Sequence, residues 1–232
     1  GYVSRLYDSG VRWTDSFVRQ LVNDIEARTP GENLLVVITS DHGESFGAKP
    51  GLWHHGQGLW EEQLRIPLVA WGNYEASPKG RNDVPVSLID VAPSLLASSG
   101  IEAPVSFRGR SDLFELSAGS ENSEREEAPR TLQASRVHTG PDWSGSHIGQ
   151  ALIESGWKYY RQDSFDGKTQ KELCFDLLAD PAERHNQMGD PSSPCLKLAE
   201  RLAVKLLNSP AQALYVTADS EASVVVYLDD SE

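Results

Sequence analysis

The apolar run Leu34-Leu35-Val36-Val37-Ile38-Thr39 is followed, one serine later, by Asp41-His42-Gly43-Glu44. A carboxylate beside a neutral imidazole forms a ligand pair for a divalent cation. Adjacent strand residues point to opposite faces, but where the chain leaves the strand both side chains can converge. Gly43 then lets the backbone turn sharply and come close to a bound group. On residue types alone a plainer reading stands beside this one, in which Asp41 caps a turn and His42 is exposed. Other chemically equipped residues point to structure. Arg65 in "EEQLRIP" is suited to bracing a strand start or pairing with Glu61 or Glu62. The "DPAERHN" stretch gathers Asp180, Glu183, Arg184 and His185 in a turn setting that capping and surface pairing explain. Cys174 and Cys195 match neither a disulfide framework nor a zinc cluster, and read as free thiols or one incidental bridge.

These residues need elements to hold them. Val3, Leu6, Tyr7, Val11, Thr14, Phe17, Val18, Leu21, Val22 and Ile25 recur at three- and four-residue steps, which predicts a long amphipathic helix. Thr29-Pro30-Gly31 stops it. Residues 34–39 and 64–72 read as strands covered on both faces in a parallel or mixed sheet. Between them runs a loop carrying Gly43, Gly47, Gly51, Gly56 and Gly58. Residues 86–100 read as a helix closed by Gly100. Residues 117–130 are small, polar and acidic, an exposed linker. Beyond it, 131–138, 148–153, 157–162 and 172–177 read as an antiparallel meander with turns at Ser155-Gly156 and Asp166-Gly167. Residues 196–207 form a last amphipathic helix, and "VVVYLDD" at 224–230 is strand-like. The expected organisation is therefore an α/β unit over 1–116, a linker over 117–130 and an α+β subdomain over 131–232.

Composition removes some functions. Lys plus Arg number 21 against 34 Asp plus Glu, a formal net charge of −13, so a nucleic-acid backbone is not the expected partner. No apolar run reaches the length of a membrane span. Residues 1–30 show no signal-peptide pattern, and any targeting segment would precede Gly1.

Five segments fall in a recognisable order: "YDSGVRWTDSFVRQLVNDI", "VVITSDHGESFG", "HGQGLWEEQLRIPLVAWG", "PVSLIDVAPSLLASSGI" and "GWKYYRQ…ELCFDLLADPAERHN". Together they resemble the C-terminal half of a sulfatase of the alkaline phosphatase superfamily, over roughly residues 2–207. The resemblance implies part of an alkaline-phosphatase-like mixed sheet flanked by helices, followed by a small antiparallel sheet with a packed helix. It implies that Asp41 and His42 complete a divalent metal site, for calcium first and manganese or magnesium as alternatives. It implies that the basic residue ahead of Trp60-Glu61 contacts the sulfate or the leaving oxygen. His55 is the nearest match, and a one-residue shift would substitute His54.

Such roles make chemical sense. Attack by an anionic oxygen on a sulfate monoester needs a cation to draw charge from the sulfuryl oxygens. The departing alcohol needs a proton, which histidine supplies near neutral pH. The family's formylglycine nucleophile is made from Cys or Ser in a C/S-x-P-x-R element, and this sequence contains none. The resemblance therefore implies a fragment of a sulfatase acting on a small-molecule or glycan sulfate ester, inactive by itself. Two alternatives stay open: a phosphoester or phosphonate-ester hydrolase or phosphoglycerol transferase of the same superfamily, or a binding module that keeps the fold. Asp229-Asp230 at the end of the last strand read as an ordinary tail.

Overall fold

The computed structural model describes residues 1–49, 52–56, 58–75, 77–114, 130–138, 147–164, 168–208 and 224–229. Helix α1 (Tyr2–Arg28) is followed by β1 (Leu35–Thr39), the two-residue strands β2 (Ser45–Phe46) and β3 (Trp53–His54), α2 (Glu61–Leu64) and β4 (Leu68–Gly72). A 3-10 turn over Leu88–Asp90 runs into α3 (Val91–Ser98). Four long strands follow: β5 (Thr131–His138), β6 (His147–Glu154), β7 (Trp157–Ser164) and β8 (Thr169–Asp176). Helix α4 (Cys195–Asn208) and β9 (Val224–Asp229) complete the order. The expected linker lies outside the described residues except for Arg130, as does the Asp166-Gly167 turn.

Strands β1 and β4 pair antiparallel, with Ile38 opposite Val69 and Val36 opposite Trp71. The expectation of strands covered on both faces is corrected. Along β4 burial alternates, so Leu68 and Ala70 are half-covered while Val69 and Trp71 are exposed. Among the described residues, one face of this ribbon is largely open, with Ile38, Val69 and Trp71 exposed and Val36 half-covered. Helix α1 shows the same pattern. Its stripe is present, but Leu6, Tyr7, Val11, Phe17 and Leu21 are exposed and only Val18, Val22 and Ile25 are half-buried along it. Gly100 closes α3 at φ +69°, the left-handed geometry that favours glycine.

The meander β8-β7-β6-β5-β9 is antiparallel throughout. A two-residue turn joins β6 to β7, with Ser155 and Gly156 at φ 50° and 79°. Positive φ at both positions matches the right-handed twist of the strands and fixes their register. Side chains alternate across the sheet. Leu152, Tyr159 and Cys174 pack on one face with Cys195, Leu198 and Leu202 of α4. Ala134, Ala151 and Tyr160 pack on the other with Leu59 and Leu64, which flank the start and end of α2. Cys174 and Cys195 form a disulfide across 5.8 Å between Cα atoms, so of the readings left open the bridge is the one found.

Two charged clamps fasten the meander to the first half of the chain. Asp90, buried in the Ser87–Asp90 capping box of the 3-10 turn that leads into α3, accepts two hydrogen bonds from the Arg130 guanidinium, at 2.6 and 2.8 Å. The second clamp is deeper. Lys158 on β7 and Glu183 have no solvent-exposed side-chain surface and form an ion pair. Lys158 also reaches Glu61 Oε1 at 3.1 Å, and Glu183 Oε2 accepts the Glu61 backbone N–H at 2.9 Å and Lys49 Nζ at 3.2 Å. The surface pairing expected of "DPAERHN" is corrected here. Asp180 does cap the turn, accepting the N–H groups of Arg184 and His185 at 2.7 and 2.8 Å, but Glu183 pairs in the interior.

Breaking a buried pair by removing one partner costs about 3–5 kcal/mol, because the other charge stays buried. Glu183→Ala should therefore lower unfolding stability by about that much in urea titration. The apolar double replacement Lys158→Met/Glu183→Leu should recover most of the loss.

Candidate active site

Strand β1 delivers Ser40, Asp41 and His42 to its carboxyl end. Ser40 Oγ donates to the His42 carbonyl at 2.7 Å, and Asp41 Oδ1 accepts the His42 N–H at 3.0 Å. These bonds bend the chain so that both side chains lie on one side, with His42 Nε2 3.8 Å from Asp41 Oδ2. The Asp41 side chain is 85% exposed. What burial it has pushes its carboxyl up, but adjacent His42, the N–H donors of Asp41 and His42, and the Ser40 hydroxyl outweigh that and hold it below the ordinary carboxylate value.

His42 Nδ1 lies 2.8 Å from the Gly43 carbonyl. A carbonyl only accepts, so Nδ1 carries a proton, and in the neutral ring Nε2, on the Asp41 side, is the nitrogen left to ligate. That is the tautomer of a metal-ligating histidine held by an outer hydrogen bond. Asp41 and His42 thus fit as part of a coordination set. Among the described residues, no group of three or more His, Cys, Asp or Glu side chains is arranged to hold a metal ion.

Gly43 has a different job from the one its type suggests. Its N–H donates to the Gln63 carbonyl at 2.8 Å, and a Cβ placed on it would lie 2.2 Å from the Glu62 carbonyl oxygen. The missing side chain makes room for α2 rather than for a bound group. Ser45 extends the contact, donating to Glu62 Oε1 and accepting from Gln63 Nε2, each at 2.8 Å.

The short β2–β3 ribbon carries the loop back over the strand end, with Ser45 opposite His54. His54 is exposed and adopts φ 64°. The next residue, His55, is also exposed, but it lies over the strand end. The His55 ring stacks on His42 at 4.2 Å between centroids, and its Nδ1 lies 3.1 Å from Glu44 Oε2. The structure thus brings the His55 ring against His42, the neighbour of Asp41. Since the carboxylate accepts, Glu44 fixes Nδ1 as the donor and leaves Nε2 free for a substrate. Glu44 Oε1 is shielded from solvent and has no hydrogen-bond partner among the described residues.

Glu44 was missed by sequence reasoning. It stood inside the quoted "SDHGES" motif, yet nothing in its separation from His55 marks a pair. Of the two roles expected for Arg65, the pairing with Glu61 or Glu62 is corrected. Arg65 is exposed at the end of α2 and forms no ion pair with Glu61 or Glu62 among the described residues. Asp229 occupies β9, an edge strand paired antiparallel with β5, where it stands opposite Leu132.

Gly43→Ala should push α2 away from the strand end and lower stability by about 1–3 kcal/mol. Gly10→Ala, in the middle of α1 with open space around it, should instead stabilise by about 0.5–1 kcal/mol. Thermal unfolding of the two variants against the parent gives the comparison.

A family profile described as Sulfatase matches residues 3–101, the part that contains Asp41, His42 and His55. The ulvan-active sulfatase of Formosa agariphila is 29% identical over 188 residues, covering 79% of this chain and 34% of that protein. Arylsulfatase K of Mus musculus is 28% identical over 182 residues, covering 75% of this chain and 30% of its own length. The chain spans about a third of the length of these relatives. Among solved structures, BT4656, determined in complex with its substrate D-glucosamine-2-N,6-O-disulfate, superposes with a TM-score of 0.60 at 21% identity. That match covers 86% of this chain and 40% of the other. Fold, motif order and sequence relatives agree: residues 3–101 are a sulfatase-family segment, and the chain as a whole is similar to sulfatases along about a third of their length, consistent with the alkaline phosphatase superfamily.

Proposed function

We propose that this chain supplies the metal-binding and proton-donating side of the active site of a sulfuric ester hydrolase. The observation that carries the reading is the stacking of His55 on His42 beside Asp41, with Glu44 holding the far side of the His55 ring. Asp41 and His42 would hold a divalent cation, calcium first, which when bound withdraws charge from the sulfuryl oxygens. His55 Nε2 delivers a proton to the departing oxygen. Glu44 keeps the ring from rotating away from that task.

The attacking group belongs to a longer protein. No C/S-x-P-x-R element occurs in this sequence, and the chain matches only about a third of the relatives' length. The uncovered stripe of α1 and the open face of β1 and β4 fit a partner layer from the same longer chain. A saccharide sulfate ester is the favoured substrate class. The names of the ulvan-active relative and of the disulfated glucosamine bound by BT4656 support it.

In the full-length enzyme, His55→Ala should slow esters with poor leaving groups by roughly a hundredfold or more and activated aryl sulfates by only a few-fold. Glu44→Gln should show the same asymmetry in smaller measure, while His54→Ala stays within about twofold of the parent. Equal losses on both ester types would assign His55 to binding rather than proton transfer. The 232-residue chain alone should hydrolyse neither aryl sulfates nor aryl phosphates above background, with or without added calcium.

A further inference from the structure

A cleft of about 830 Å³ opens between the loop ahead of β3, helix α2 and the turn after β8. None of Asp41, His42, Glu44 and His55 lines it. Four cationic side chains do: Lys49, Arg65, Lys171 and Arg184. In a chain of net charge −13 such a gathering runs against composition. The acidic residues of the cleft are already engaged. Glu61 pairs with Lys158, Glu62 accepts from Ser45, and Glu183 lies between Lys158 and Lys49. Arg65, Lys171 and Arg184 face the cleft with no carboxylate in ion-pair range among the described residues.

The floor sharpens the case. Lys49 and Lys171 both place their ammonium groups over the Trp60 ring, at 4.5 and 4.9 Å from its centroid. Two like charges therefore share one indole that is itself buried. Partial covering of its side chain, and then the charge of Lys49, push the Lys171 ammonium below its ordinary pKa. An anion seated between these groups would relieve that repulsion and form charge-assisted hydrogen bonds. The two guanidinium groups at the rim add planar donor forks suited to sulfate and carboxylate oxygens. The volume is that of a site for a sugar-sized ligand.

We propose that this cleft is an anion subsite that holds a sulfate or carboxylate substituent of a polyanionic saccharide, separate from the ester group beside His55. The saccharide assignment rests on the sulfatase reading above, whereas the anion site rests on the cleft alone. The test is calorimetric binding by the full-length protein and its Lys171→Ala/Arg184→Ala variant. The probes are a disaccharide bearing three sulfates and a uronate, a singly sulfated disaccharide, and inorganic sulfate. The double variant should bind the multiply charged sugar at least about tenfold more weakly, with unchanged affinity for the singly sulfated one. Its Tm should match the parent, since both side chains are exposed, and Lys171→Arg/Arg184→Lys should restore most of the binding. Unchanged affinity for the multiply charged sugar would overturn the subsite, and so would an equal loss on both sugars. Inorganic sulfate binding as tightly as the multiply charged sugar would overturn the saccharide assignment. Failure of the hydrolase reading looks different: His55→Ala leaves turnover intact while the cleft still binds its anion.

Discussion

Lys158 and Glu183 meet with no solvent-exposed side-chain surface, and the support of the loop that crosses above the carboxyl end of β1 begins at that meeting. Glu183 adopts φ 53°, a left-handed conformation that a non-glycine residue holds only where its surroundings require it. There its second oxygen faces the Glu61 backbone N–H and the Lys49 ammonium. Glu61 begins α2, and α2 carries the Glu62 carbonyl against which Gly43 is packed. A chain of contacts thus runs from the interior of the meander to the residue beside His42. Displacing any link moves the strand end by steric contact rather than by charge, because packed interiors yield little.

The division of labour at the site follows from that support. Asp41 is open to solvent and free to meet a ligand, while the atoms that aim it are short-range and local. His55 comes from a different segment and depends on a two-residue ribbon, a left-handed His54 and one carboxylate to reach the same place. The first half of the arrangement is set by the strand it ends. The second is set by a loop whose course depends on α2, and hence on the clamp.

That contrast explains what the sequence revealed. Helix α1 was legible from its period, β1 as a bounded apolar run and the long meander strands from the turns between them, because spacing and turn chemistry report backbone geometry directly. Asp41 and His42 were legible because they end such an element. The pairing of Glu44 with His55 was not, since two loop residues meet through turn geometry that no spacing records. Glu183 was misread for a related reason. A polar turn is normally a surface feature, and only the three-dimensional placement of Lys158 on a neighbouring strand reveals that this one points inward. Burial on both faces of β1 and β4 was also overcalled, because continuous apolarity shows that a strand can be covered without showing by what.

The disulfide adds something that contact geometry does not express. Cys174 and Cys195 are separated by 21 positions, and Glu183 lies inside the ring they close. A closed ring of that size removes conformations chiefly from the open chain, worth about 3 kcal/mol in the simple loop-entropy picture. Glu183 is therefore a tethered ligand for Lys158, presented at a high local concentration even when the pair is momentarily apart. Local opening of this turn should be brief and self-correcting in the oxidised protein. With the bridge reduced, the same carboxylate explores a larger volume before it returns, and the loop above the candidate site loses its anchor for longer.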